Sequence, residues 1–187
     1  SEILFDFSDI KGQETAKRGL LIAAAGGHNA AMYGPPGTGK TMLARAFAGL
    51  LPPMTFEEIL EVTSIHSVAG ALSSGFLKQP PFRSPHHTSS YVAMVGGGAI
   101  PRPGEITLSH KGVLFLDEFN EFTRAVMEAM RQPLEDGHLT ISRSKERVEY
   151  PADFMLVASA NPCPCGYLNH PKKNCVCSSR QIRKYQK

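Results

Sequence analysis

Gly34-Pro35-Pro36-Gly37-Thr38-Gly39-Lys40-Thr41 fits the pattern G-x-x-x-x-G-K-[ST], a spacing suited to holding phosphate. Its glycines let the backbone curl so that several N–H groups point inward at phosphate oxygens. A helix beginning near Gly39 adds the positive end of its dipole. Lys40 is placed to reach the β- and γ-phosphates, and the Thr41 hydroxyl to ligate Mg²⁺. A Gly/Pro turn without a ligand is the alternative. Asp117-Glu118 follows the apolar run Val113-Leu114-Phe115-Leu116. Open α/β sheets bind ligands at such strand ends. There Asp117 would hold Mg²⁺, directly or through water. Glu118 would orient or deprotonate an attacking water, where the alternative is a solvated acidic loop. Asn161 ends a further apolar run and precedes Pro162. Its amide suits a γ-phosphate or the water, although Asn-Pro is also a common turn.

A second constellation is Cys163-x-Cys165 with Cys175-x-Cys177. Four thiolates suit tetrahedral Zn²⁺, and four ligands leave no open position, so such a metal would be structural. Pro164 and Gly166 would stiffen and turn the first pair. Free thiols, or His170 in place of one cysteine, are the alternatives.

These residues need elements to place them. Gln13 to Ala25 is rich in helix formers and stops at Gly26-Gly27, so a helix is expected. Ala30 to Tyr33 reads as a buried strand, Thr41 to Leu51 as a helix ended by Pro52-Pro53, and Phe56 to Ser64 as a short helix. Residues 70–112 hold many Gly, Pro and Ser residues. A structureless loop of that length is improbable in a compact domain, so short hairpins or a short helix are expected there. Val113–Leu116 lacks alternation, as a strand buried on both faces would. Thr123 to Leu134 has helical spacing. Leu139 to Tyr150 alternates about a polar centre and reads as a β-hairpin. Phe154 to Ala158 is another buried strand. Strands alternating with helices predict an α/β fold with a parallel sheet.

The chain has 187 residues, 42% hydrophobic and 20% charged, the composition of one globular domain. Its net charge of +3 is too small to imply nucleic acid by itself. The basic excess lies at the end, where Lys172, Lys173, Arg180, Arg183, Lys184 and Lys187 have no acidic residue among them. No apolar run reaches the roughly 18 residues of a membrane span, and the first residues have no signal-type pattern. A cytoplasmic protein without membrane partners is expected, in which cysteines are metal ligands or free thiols rather than disulfides.

Taken together, the three nucleotide-type elements resemble the AAA+ ATPases. Gly34–Thr41 resembles Walker A, Val113–Glu118 Walker B, and Asn161 sensor 1. Phe7 to Glu14 resembles the segment that lies near adenine, which nominates Ile10 and Gly12 as nucleotide contacts. Phe82-Arg83-Ser84-Pro85-His86-His87, Gly96-Gly97-Gly98, Pro103-Gly104-Glu105-Ile106 and Leu108-Ser109-His110 resemble the magnesium-chelatase-like branch. Asn161-Pro162-Cys163-Pro164-Cys165-Gly166-Tyr167 with Cys175-Val176-Cys177 is similar to the ComM/YifB family within it.

The resemblance implies a P-loop AAA+ core over 1–187, a three-layer parallel sheet with a helix-2 insert at about 70–112. It also implies a hairpin before sensor 1 at about 139–150 and a zinc loop at 163–177. It implies ATP or ADP with Mg²⁺, and a homohexamer acting on DNA as a translocase or helicase in branch migration during natural transformation. A magnesium-chelatase ATPase subunit that remodels a metal-insertion partner, or a nucleotide-dependent scaffold without motor action, are the alternatives. The family's Lon-like N-terminal domain, arginine finger and sensor 2 lid match nothing in 1–187, so turnover is expected to need an arginine supplied from elsewhere. Arg143, Lys145 and Arg147 cluster at the predicted hairpin tip. In the family such hairpins face the pore, where these charges would meet DNA phosphates without reading bases. A solvated tip is the alternative. His86 and His87 are carried as substrate or DNA contacts.

Overall fold

The computed structural model describes residues 6–72, 75–98, 101–143 and 146–186, with the backbone alone at Ser142, Arg143 and Glu146. After a 3₁₀ turn at Phe7–Asp9, helix α1 spans Glu14–Gly26 and ends on Gly27, whose left-handed backbone donates to Ala23 and Ala24. Strand β1 (Ala30–Tyr33) leads into the glycine loop, and α2 (Lys40–Ala48) leaves it. Helix α2 is shorter than expected because the chain turns at Gly49, before the prolines. Helix α3 (Phe56–Val68) opens with a capping box: Thr55 Oγ1 accepts from the Glu58 amide, and the Glu58 carboxylate accepts from the Thr55 amide.

Between α3 and the acidic pair come β2 (Phe82–Arg83), α4 (Tyr91–Val95), the hairpin strands β3 (Gly96–Gly97) and β4 (Arg102–Pro103), and α5 (Glu105–Leu108). The 70–112 segment thus holds a strand of the central sheet, since β2 pairs in parallel with the next strand, β5 (Val113–Leu116). Helices α6 (Arg124–Ala129) and α7 (Arg131–Asp136) replace the single helix expected over 123–134. Pro133 has no N–H to donate, and its ring crowds the carbonyl of Ala129. The antiparallel hairpin β6 (His138–Arg143) and β7 (Glu146–Pro151) follows, then β8 (Met155–Ala160), the cysteine loop and α8 (Ser179–Tyr185).

The central sheet is parallel, in the order β1-β8-β5-β2. Leu20 and Ala23 of α1, with Leu43, Ala44 and Phe47 of α2, cover one face, against Val113, Phe115 and Val157. Leu114 and Leu116 point to the other face, against Met94, Val95, Ile106, Val126, Leu139 and Ile141. Three layers result, and β5 is wholly buried. The expectation of a buried first strand is corrected: β1 lies at the sheet edge with alternating exposure, and Tyr33 is 66% exposed. Its neighbour on one side is β8, so only its inward-facing residues meet the core.

Candidate active site

The glycine loop is anchored at both ends. Gly34 donates its amide to Ala160 and so extends the β1–β8 ladder by one bond. Gly37 (φ 76°) and Gly39 (φ 83°) occupy the left-handed region, which turns the chain back into α2. Inside the turn, Thr38 Oγ1 donates to the Pro35 carbonyl at 3.0 Å. Lys40 Nζ donates to the carbonyls of Gly34 and Pro35, each at 2.9 Å, and to Asn161 Oδ1 at 3.2 Å. Burial pushes the Lys40 ammonium down from its ordinary value, and the carboxylates of Asp117 and Glu118 oppose that shift.

The carboxylates stand beside it. Asp117 Oδ2 accepts from Thr41 Oγ1 at 3.2 Å, while its Oδ1 accepts from the Glu118 amide at 3.0 Å and from the Ser159 hydroxyl. Glu118 has a left-handed backbone (φ 52°), uncommon for a residue with a long side chain. The turn lifts it off β5 into a cleft of about 350 Å³, lined by residues 36–42, Asp117, Glu118 and Asn161. Hard oxygen donors from Thr41 and Asp117, adjoining a phosphate loop, fit Mg²⁺. The cleft can hold phosphate on backbone amides and one ammonium, with a second carboxylate beside them that could work on water.

The remaining nucleotide candidates lie at the margin. The Ile10 side chain is 7% exposed and packed in the core with Leu20 and Leu43, so only its backbone is available to a base. Gly12 (φ 71°) is exposed and open, and next to it Gln13 Nε2 donates to the Thr38 carbonyl at 3.3 Å. That bond ties the N-terminal segment to the phosphate loop.

The four cysteines come together. Cys163, Cys165, Cys175 and Cys177 place their sulfur atoms within 4.8 Å of one another, with close pairs at 3.4 and 3.6 Å. A tetrahedral zinc with bonds of ~2.3 Å sets its sulfurs roughly 3.8 Å apart, so the donor set and spacing fit. Amides of Tyr167 and Val176 aimed at the Cys165 sulfur hold its thiol down to about 6. Against one bond from the Cys177 amide, burial and the neighbouring sulfurs push Cys175 up to about 12. Crowded thiolates repel one another, which is the electrostatic demand a bound cation meets. His170 does not join the cluster: its Nδ1 accepts from the amides of Lys172 and Lys173, both at 3.1 Å.

Of the DNA candidates, Arg147 is exposed on β7, Lys145 lies outside the described residues, and Arg143 is described by its backbone alone. His86 and His87 lie against each other with ring centroids 4.1 Å apart and planes tilted by 34°. His87 Nδ1 stands 3.2 Å from Glu118 Oε2, at the margin of the same cleft.

A family profile described as magnesium chelatase, subunit ChlI, matches residues 6–187. The chain belongs to this family. The ChlI-family chain is 53% identical over 183 residues to the YifB protein of Escherichia coli (strain K12), which covers 96% of this chain and 35% of that one. It is 52% identical over 181 residues to the competence protein ComM of Haemophilus influenzae, with coverage of 96% and 35%. Its branch of the family is therefore that of YifB and ComM. The chain spans about a third of the length of these curated relatives. Among solved structures it is similar to a cryo-EM-based complex between subunits BchI and BchD of magnesium chelatase. That likeness has a TM-score of 0.65 and 25% identity, and covers 97% of this chain and 59% of the other. The ChlI-family chain has the AAA+ α/β P-loop fold.

One residue of this ChlI-family site carries no motif of its own. Ser159 is a hydroxyl inside an otherwise apolar strand, and pairing of Leu116 with Ala158 sets it beside Asp117. A polar residue in such a run was the available signal. Gln13 and His87 lie in segments the sequence singled out, and their contacts with Thr38 and Glu118 are tertiary, which no local pattern announces.

Proposed function

We propose that this chain is the nucleotide-driven core of a ComM-like motor, binding ATP or ADP with Mg²⁺ and hydrolysing ATP. In the full-length protein this core would assemble as a homohexamer in the cytoplasm and move on DNA, in branch migration during natural transformation. The observation that carries the reading is the pair of bonds Lys40–Asn161 and Thr41–Asp117, which draws three separate motifs into one cleft. The loop amides and Lys40 bind the phosphates, Thr41 and Asp117 hold the cation, and Asn161 stands where a γ-phosphate would lie. Bound Mg²⁺ supplies charge neutralisation for the phosphates. Glu118 takes the proton from the attacking water.

A structural Zn²⁺ on Cys163, Cys165, Cys175 and Cys177 belongs to the same reading, supported by four convergent sulfurs. The higher identity to ComM and YifB than to the chelatase structure favours a DNA motor over a chelatase subunit. The deciding experiment is ATP turnover by the full-length protein with and without single-stranded and branched DNA. Stimulation by DNA supports the motor. Turnover indifferent to DNA points to the chelatase type, and nucleotide binding without turnover to a scaffold.

A further inference from the structure

We propose that the four-cysteine loop is a metal-dependent brace on the phosphate-binding loop, so that occupancy of the thiolate site sets the affinity for nucleotide. The proposal rests on reading the cluster as a zinc site. The contact is direct. Gly166 follows Cys165 in the first cysteine pair, at φ 81°, and a Cβ on it would lie 2.5 Å from Cδ and 3.0 Å from Cγ of Pro36. The backbone of the cysteine loop therefore rests on the ring of a phosphate-loop proline, with no room between them for one carbon atom. A proline ring is rigid, so pressure on it moves the loop backbone whose amides face the cleft.

The second link runs along the chain. Cys163 is fully buried and stands two residues after Asn161, whose Oδ1 accepts from Lys40. The Gly166 amide closes a turn onto the Cys163 carbonyl at 2.8 Å, and Gln186 Nε2 donates to the Pro162 carbonyl at 3.0 Å. One metal would join both cysteine pairs across this turn. Among the described residues no disulfide does so, and the pairs are otherwise linked by weak sulfur contacts and the bond from the Cys165 amide to Cys177 Sγ at 3.4 Å. Removing the metal frees the segment between the pairs, which carries Gly166, and loosens the hold on buried Cys163, two residues after Asn161. Ordering them on binding then costs conformational entropy that the braced loop has already lost.

The test uses the full-length protein, with zinc content and ADP affinity measured on the same samples and Mg²⁺ present throughout. With one zinc per chain, extraction by a zinc-selective chelator should weaken ADP binding about tenfold, within the ordinary range of coupling between sites, and added zinc should restore it. By reciprocity, saturating ADP should raise the zinc affinity by the same factor, measured by competition with the chelator. This second measurement needs no metal-free fold. Gly166→Ala, which keeps all four thiolates, should retain one zinc and still lose about tenfold in ADP affinity. One zinc per chain with ADP affinity indifferent to its removal, and zinc affinity indifferent to ADP, overturns the brace and leaves the zinc site standing. Protein that holds no zinc and takes none up overturns the zinc site and the brace together.

Discussion

His87 Nδ1 stands 3.2 Å from Oε2 of Glu118, so a ring on the segment after β2 holds the carboxylate that faces the nucleotide cleft. Phe122 meets the same ring edge-on at 6.5 Å between centroids, and the tilted His86 ring lies against it, which fixes its direction. A ring held against a carboxylate restrains its rotation. Glu118→Gln should lower ATP turnover by about 10²–10⁴-fold with ADP affinity kept. His87→Ala should release the carboxylate and raise basal turnover a few-fold at unchanged ADP affinity. A fall in turnover in that variant would show that the histidine positions the base rather than restrains it.

Ser159 is the hydroxyl behind Asp117, and its bond leaves the other carboxylate oxygen for Thr41 and a cation. Outer partners of metal-holding groups commonly matter about 10–100-fold in metal affinity or activity. Ser159→Ala should shift the Mg²⁺ concentration needed for half-maximal turnover upward by about that factor. A Mg²⁺ titration that superimposes on the wild type would reduce the serine to packing.

His66 links α3 to the end of α5: Nε2 stands 2.9 Å from the Leu108 carbonyl. Burial pushes its pKa below the ordinary 6.5, opposed by that carbonyl, with Arg83 adding to the fall and Glu105 opposing it. The unfolded chain therefore takes up a proton below about 6.5 that the folded chain resists. Stability contributed by neutral His66 is complete above that pH and is lost as the pH falls toward the folded-state value. Thermal melting followed from pH 7.5 to 5 should show this decline, and His66→Gln should flatten it. An unchanged slope in the variant would assign the decline to other groups.

Arg147 projects from β7 as an exposed cation. If it meets a DNA phosphate, Arg147→Ala weakens binding equally across sequences and lowers the slope of log K against log salt by about 1. Fluorescence anisotropy at several salt concentrations with full-length protein reads both. A slope equal to the wild type would place this side chain off the DNA path.

The phosphate loop, the acidic pair and Asn161 were legible because each couples a chemical residue type to the end of an apolar run. The parallel sheet was legible for the same reason, since Val113–Leu116 and the run after Phe154 show strands buried deep in a sheet. Position within the sheet was not. Ala30 to Tyr33 is as apolar as an inner strand, yet it sits at an edge, because strand order is set by crossovers and not by local composition. The two residues of β2 are too short to show any period. The histidine against Glu118 arrives from some thirty residues away in sequence, and only packing joins the two.

Strand β8 pairs with β1, which carries the phosphate loop, and with β5, which ends in Asp117. Ser159 on it serves the carboxylate, and Asn161, just past its end, serves the lysine. A single residue inserted or deleted within Met155–Ala160 would turn both away at once, together with the approach to the cysteine loop. Length variation among natural sequences should therefore be forbidden along this strand, which comparing gene sequences can expose without purifying any protein.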